Sequence, residues 1–460
     1  MPRLLPGLLP YLAGLALLLS AAGCATHPEA VRNVQTQIAL GQPPDTSYFD
    51  GSVEGKDAVL SLMERGRIRQ LAGDYQGSAE DYQGAVAAFQ ALDDKAVVSV
   101  TDIGAQAGAI LFNDLSIPYR GETFERLMLF QLDAFDRAAL GEIDNIGVDV
   151  RNLAQQLEKD LDAREKERKA LADAADKADA ADRDAITGAS GIYAASNAAA
   201  AELAATVSDS FQNPYAYAFA GLWYESQSDY GNARIAYARA RKLSPSCTPL
   251  AVSFARTARA LGNPLPAAVP PLKDGEGEVF LFAEQGYNLA KEALSLPIPL
   301  HKNFVVISVP YYSVTAEPPA PPAVLGPGGA AIASAETVCD FRAYAVKALQ
   351  EHIPAILARQ ILRAAAKAVA NDQLRRQDEL AGLALAIFNA ATERPDLRSW
   401  ILLPRYAHLA RFTLPAGTHD LVLSYPFGQT TVTVTVRPGR PTLLHCTGVP
   451  GAVRAVSTPL

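Results

Sequence analysis

The sequence predicts a multidomain chain: a helical array carrying a long charged helix, followed by a C-terminal α+β region that contains a small β-sandwich-like module. Three observations predict it. Residues 213–245 read as two short amphipathic helices folded back on each other, with apolar and small residues at helical spacing on either side of a break at 226–229. Related spacings return near residues 58–92 and 124–155. From residue 277 the pattern changes to short β-type runs, which dominate residues 404–450. At 460 residues the chain is too long for one ordinary core.

Composition narrows the function classes. Charged residues make up 20% and hydrophobic residues 49%, ordinary for a globular protein. The net charge of −8 leaves no electrostatic footprint for nucleic acid.

Taken in order, the chain opens with Arg3, an apolar run over 4–19 and then Ala21-Ala22-Gly23-Cys24. A basic start, an apolar run and small residues before a cleavage point make a secretory signal over residues 1–23. The tripeptide before Cys24 resembles the lipobox of bacterial lipoproteins, with Ala21 where leucine is usual. The resemblance implies acylation of Cys24 and a lipid anchor in the membrane; Ala25 rather than aspartate after it implies the outer membrane. A transmembrane anchor is the rival reading of the same run, and Pro6 and Pro10 weigh against it. Residues 24–57, polar and proline-containing, read as a tether.

The helical region spans 58–262. In its clearest copy, 213–246, Gly221 and Ala233 sit where two antiparallel helices cross, and Tyr217, Tyr224 and Tyr237 fill the wedge around the crossing. Tyr217, Ala220, Gly221, Tyr224, Ala233, Tyr237 and Pro245 keep the spacing W-x2-L-G-x2-Y, A-x3-F, P, so this run resembles the tetratricopeptide repeat. Gly66, Ser78, Tyr82 and Ala85 hold the same relative positions in the first copy, and Gly141, Ile146 and Val150 in the second. The resemblance implies a protein-binding scaffold whose concave face would present Met63, Arg67 and Gln70 in the first copy and Tyr215, Ala218, Leu222 and Glu225 in the last.

The run from Asn113 through Tyr119-Arg120-Gly121-Glu122 to Glu125, together with Gly277-Glu278-Val279 and Asp396-Leu397-Arg398-Ser399-Trp400, is similar to a family of proteobacterial outer-membrane lipoproteins with tetratricopeptide repeats. That resemblance carries no activity with it. Glu122 and Glu125 read as helix caps that pair with Arg126. Residues 150–184 form a charged helix with a leucine seam at Leu153, Leu157 and Leu161, broken at 187–190. A helix over 250–261 caps the array, and residues 263–276 read as a linker.

In the C-terminal region, 277–460, residues 278–282 and 304–310 are β-type, 311–338 a long loop, and 340–370 a helix interrupted at Pro354. A second helical run covers 373–392. The module at 404–450 alternates, and Thr430 to Val436 should bury valine and wet threonine.

Chemistry is sparse. No G-x-S-x-G, H-E-x-x-H or P-loop occurs, and His408, His419 and His445 lack ligand spacing, so no catalysis, metal or cofactor is expected. Cys247, Cys339 and Cys446 are either buried thiols or one disulfide with a thiol left over. Asp396, Arg398 and Trp400 read as a salt bridge beneath a packed tryptophan. The resulting expectation is an anchored scaffold for an envelope protein, its oligomeric state open. The alternative is an accessory factor of envelope polysaccharide or cell-wall assembly, with Tyr406, Tyr425 and Phe427 of the β-module binding glycan.

Overall fold

The computed structural model describes residues 26–99, 115, 117–177, 180–266, 269–300, 303–315, 320–377 and 394–460. Cys24 and most of the run at 373–392 lie outside them.

Within residues 26–57 folded structure stands where a tether was expected. Helix α1 (His27–Ala39) starts on a Thr26/Glu29 capping box and is followed by the short α2 (Ser47–Asp50). Val31, Val34 and Ile38 share one face of α1 and pack with Phe49, Ile68, Leu71, Ile401, Leu402 and Val449.

Three helical hairpins follow: α3 (Ala58–Ala72) with α4 (Tyr75–Ser99), α5 (Thr123–Leu140) with α6 (Ile143–Lys177), and α9 (Pro214–Ser226) with α10 (Tyr230–Leu243). They share one register. Each first helix ends on a left-handed residue, Gly73, Gly141 or Ser228; Ser228, at φ 60°, is the non-glycine residue that adopts this conformation. In every case the next two N–H groups close the same pair of bonds: Gly73 to Gln70 O and Asp74 to Arg69 O, Gly141 to Ala138 O and Glu142 to Arg137 O, Ser228 to Glu225 O and Asp229 to Tyr224 O. Asp74 and Asp229 then cap the second helix by accepting from Gly77 N–H and Asn232 N–H, at 3.0 and 3.1 Å. Where the helices cross, a Cβ on Gly66 would lie 2.6 Å from the Tyr82 ring and one on Gly221 2.5 Å from the Tyr237 ring. Ala134 and Val150 hold these positions in the middle hairpin, and Ser78, Ile146 and Ala233 are the small or apolar residues buried at the start of each second helix.

Helix α6 outruns its partner. Its 35 residues span about 52 Å at 1.5 Å per residue, and Glu158, Lys159, Asp162 and Lys166 beyond Gln156 are exposed. Leu157 and Leu161 of the expected seam lie outside the described side chains. Helix α7 (Ala180–Ser196) runs through residues 187–190, where a break was expected, because Ala185, Ala189 and Tyr193 form a buried stripe. Helix α8 (Ala198–Ala204) leads back to α9, and α11 (Thr248–Ala260) closes the array.

The C-terminal half is one layered sheet system rather than a loop plus a separate module. Strands β1 (Glu276–Gln285), β6 (Glu336–Asp340), β7 (Tyr406–Pro415), β10 (Pro441–Val449) and β11 (Ala452–Pro459) make a five-stranded sheet in the order β11-β10-β1-β7-β6. Strands β4 (Ala323–Leu325), β5 (Ala331–Ser334), β8 (Gly417–Tyr425) and β9 (Gly428–Val436) make a second sheet, β5-β4-β8-β9, stacked on its far face. The region expected to be a loop at 311–338 thus supplies parts of both sheets. A hairpin of β2 (Lys291–Leu300) and β3 (Asn303–Tyr312) stands apart and packs on α7 and on α12 (Phe341–Gln377). Pro354 does not interrupt α12: burial of Ile353, Leu357 and Ile361 holds the helix across the missing N–H. On β9, Val432, Val434 and Val436 are buried while Thr431, Thr433 and Thr435 are exposed, as the alternation requires.

The glycines at the first and last crossings yield a direct check. Gly221→Ala places a methyl group inside contact distance of Tyr237 and should destabilise by about 1–3 kcal/mol in denaturant unfolding. Gly231→Ala, with no atom within 3.4 Å, should not. Equal stability of the two variants would contradict the close crossing.

Candidate functional site

The inner faces of α3, α5 and α9 meet the five-stranded sheet, approaching β11, β10 and β6 and reaching β1 through side chains. Every residue from Gly277 to Glu284 is buried, and the strand alternates between two interiors. Val279, Leu281 and Ala283 enter the sandwich between the sheets; Phe280 and Phe282 enter the helical core.

The residues expected on an open concave face are buried inside the chain, and two of them, Arg67 and Tyr215, touch β1 directly, which corrects the expectation of an open surface. Met63, Arg67, Gln70, Tyr215, Ala218 and Leu222 are all 1% exposed or less. Arg67 Nη2 lies 2.8 Å from Glu284 Oε2 and donates to Thr447 Oγ1 at 2.7 Å. Gln70 takes a bond from Arg67 and donates to Asp136 Oδ1 at 2.7 Å. His445 Nε2 sits 3.4 Å from Glu284 Oε1, and its ring stacks on Phe135 at 4.0 Å. Phe282 meets Phe135, Tyr215 and Phe219 at ring separations of 5.9, 5.4 and 5.7 Å. Glu225 ends in a second ion cluster: Arg411 reaches Glu225 and Glu278 at 2.6 Å each, Arg256 adds a bridge to Glu278 at 2.8 Å, and Tyr237 donates to Glu225 at 2.8 Å.

Electrostatics explain how these charges persist. Burial pushes Glu284 toward the neutral acid, but Arg67 and His445 outweigh it and hold its pKa below the ordinary carboxylate value. Asp136, equally buried but reached only by neutral donors at short range, is held well above that value. Beside it, Asp133 and Asp149 share Arg137, at 3.2 and 3.0 Å. Burial, with repulsion from Asp133, raises Asp149 to about 8.

A second clamp holds the segment before β7. Glu64 accepts from Ile401 and Leu402 N–H at 2.9 and 3.1 Å, and Glu125 from Trp400 N–H at 2.8 Å. Arg398 binds Asp396 at 2.6 Å and also Asp57, with Trp400 fully buried alongside, matching the salt bridge expected there. Glu122 and Glu125 do form a capping box, but Arg126 pairs with Asp93 instead, at 3.0 Å.

The remaining sequence candidates disperse. Tyr217, Tyr224, Ala233, Tyr237, Gly66, Tyr82 and Gly221 lie in the helix contacts. His408 is enclosed by Thr337 and Gln285, and burial lowers its pKa to about 3. His419 bonds Pro415 O. Cys247, Cys339 and Cys446 are buried free thiols. Of the aromatics offered for glycan binding, Tyr406 and Tyr425 are buried, the latter donating to Glu284 O, while Phe427 is half-buried and stacks on Tyr425 at 5.4 Å. Among the described residues no group of three or more His, Cys, Asp or Glu is placed to hold a metal ion, and no helix is long and apolar enough to cross a membrane. Glu284 and Arg411 are the site residues that the sequence reading missed; charged residues in an otherwise apolar strand were their signal. No family model matches the chain, and neither the curated proteins nor the solved structures include a match.

Two outcomes follow from the charges. Glu284→Gln leaves Arg67 buried without its counter-ion and should lower stability by about 3–5 kcal/mol, while Arg67→Met with Glu284→Leu should recover much of that loss. An unaffected Glu284→Gln protein would contradict the buried pair. Asp149 is protonated in the folded chain at pH values where the unfolded chain is ionised, so the folded state binds the extra proton. Stability from this group is then lost as pH rises from about 4 to about 8. Asp149→Asn should flatten that slope in unfolding curves across the window.

Proposed function

We propose that the chain is a non-enzymatic lipoprotein, anchored at the outer membrane through Cys24, and that its hairpins are tetratricopeptide-type repeats acting as a scaffold for an envelope protein. The common register of the three hairpins supports the repeat reading. Occupation of the concave face by β1 is the observation that shapes the function: the repeats clamp the chain's own sheet, and a partner is taken on outer surfaces. The first described helix is capped at Thr26, two residues past Cys24. Two residues span at most about 7 Å, so an acylated Cys24 would hold the body against the bilayer rather than on a long tether.

Cys24→Ser should abolish incorporation of a palmitate analogue in cells and release the chain from the membrane fraction. Label retained in the variant would overturn the anchor. A chain that loses label yet co-purifies with its envelope partner would still satisfy the scaffold half of the reading.

A further inference from the structure

The end of the helical array carries a surface that nothing among the described residues covers. Between α10 and α11 lies an open groove of about 610 Å³ lined by Arg234, Ile235, Ala238, Phe254 and Leu261, with Asp229, held by Asn232, at one end and Arg241 and Lys242 beside it on α10. Ile235 is 54% exposed and Leu261 47%. Arg234 and Arg241 stack over Phe254, at 5.5 and 4.8 Å from ring centre to guanidinium. This is where another hairpin would pack if the array continued, and apolar ends of such arrays need a covering element.

Charge sets it apart. The whole chain is acidic, yet residues 229–262 hold six basic side chains and one carboxylate. Arg65, Arg67, Arg137, Arg256, Arg398 and Arg411 each bridge a carboxylate. Arg234, Arg241 and Lys242 have no carboxylate partner among the described residues, and Arg241 Nε is buried without an acceptor. A guanidinium lying on an aromatic ring keeps its N–H edge for a carboxylate. The spacing of Arg234, Ile235, Ala238, Arg241 and Lys242 puts them on one side of α10.

We propose that the α10–α11 groove binds an acidic amphipathic helix of a protein partner. Apolar residues of that helix fill the space between Ile235 and Leu261, and its carboxylates meet Arg234, Arg241 and Lys242. This deepens the scaffold reading and is independent of the lipid anchor, because binding is read in solution.

The test uses the purified full chain in detergent and fluorescence anisotropy. Its probe is a synthetic helical peptide with leucine on one face and glutamate on the other. The same peptide with lysine for glutamate, and anionic phosphatidylglycerol vesicles, are the comparisons. The glutamate peptide should bind and weaken as salt rises, and the lysine peptide should not bind. Arg234→Glu with Ile235→Glu should weaken binding about tenfold or more. Ile192→Glu, an exposed apolar site on α7, should leave it unchanged. Circular dichroism establishes that each variant is folded, and Lys242→Glu serves as a second variant should the double one unfold. Equal binding of both peptides, an unaffected groove variant, or vesicle binding without peptide binding would each overturn the proposal. Loss of this surface alongside intact Cys24 labelling would leave the anchor standing and remove only the helix-binding face.

Discussion

The buried pair of Arg67 and Glu284 is the constraint on which the rest of the structure depends. Both side chains are fully removed from water, and neither could stay charged there alone. The pair joins the first helical hairpin to the central strand, so the helices and the sheet must be assembled together for either charge to be tolerated. Arg411 with Glu225 and Glu278 does the same at the other end of β1. Between these two ionic ends lies an aromatic core of Phe280, Phe282, Phe135, Tyr215 and Phe219. Polar ends fix the register of the strand in the groove; the aromatic centre supplies most of the buried area.

This arrangement changes what the helical array is for. A concave helical face is a binding surface when it is empty, but here β1 lies along it and is hydrogen-bonded to β10 and β7 on either side. Removing β1 would split the five-stranded sheet, uncover the interior shared with the second sheet and take away contacts to all three hairpins. The strand is thus a structural element rather than a displaceable ligand, and the proposed scaffold role falls to surfaces at the ends and outside of the array.

Much of the helical half was legible from the sequence. Gly66 with Tyr82 and Gly221 with Tyr237 announce close crossings, and their shared spacing announces repetition. The occupant of the groove was not legible, because Arg67 and Glu284 are more than two hundred residues apart and pairing at that distance leaves no local pattern. Strand β2 was hidden by Pro297 and Pro299, which an isolated hairpin tolerates because its outer edge is unpaired. Strands β4 to β6 sit among proline, glycine and alanine, and only their sheet partners make them strands. The first helix was readable in retrospect: Thr26 and Glu29 form its cap, and Val31, Val34 and Ile38 keep helical spacing.

The central claim is that helices and sheet form one cooperative body around β1. Native-state hydrogen exchange measures this most directly. The account predicts that amides of Val279 to Ala283 and those in the middle of α3, α5 and α9 exchange through the same opening, with the same free energy, and that Glu284→Gln lowers all of them together. Early exchange of β1 while the helices remain protected would contradict it, and would mean that the hairpins stand without the strand they enclose.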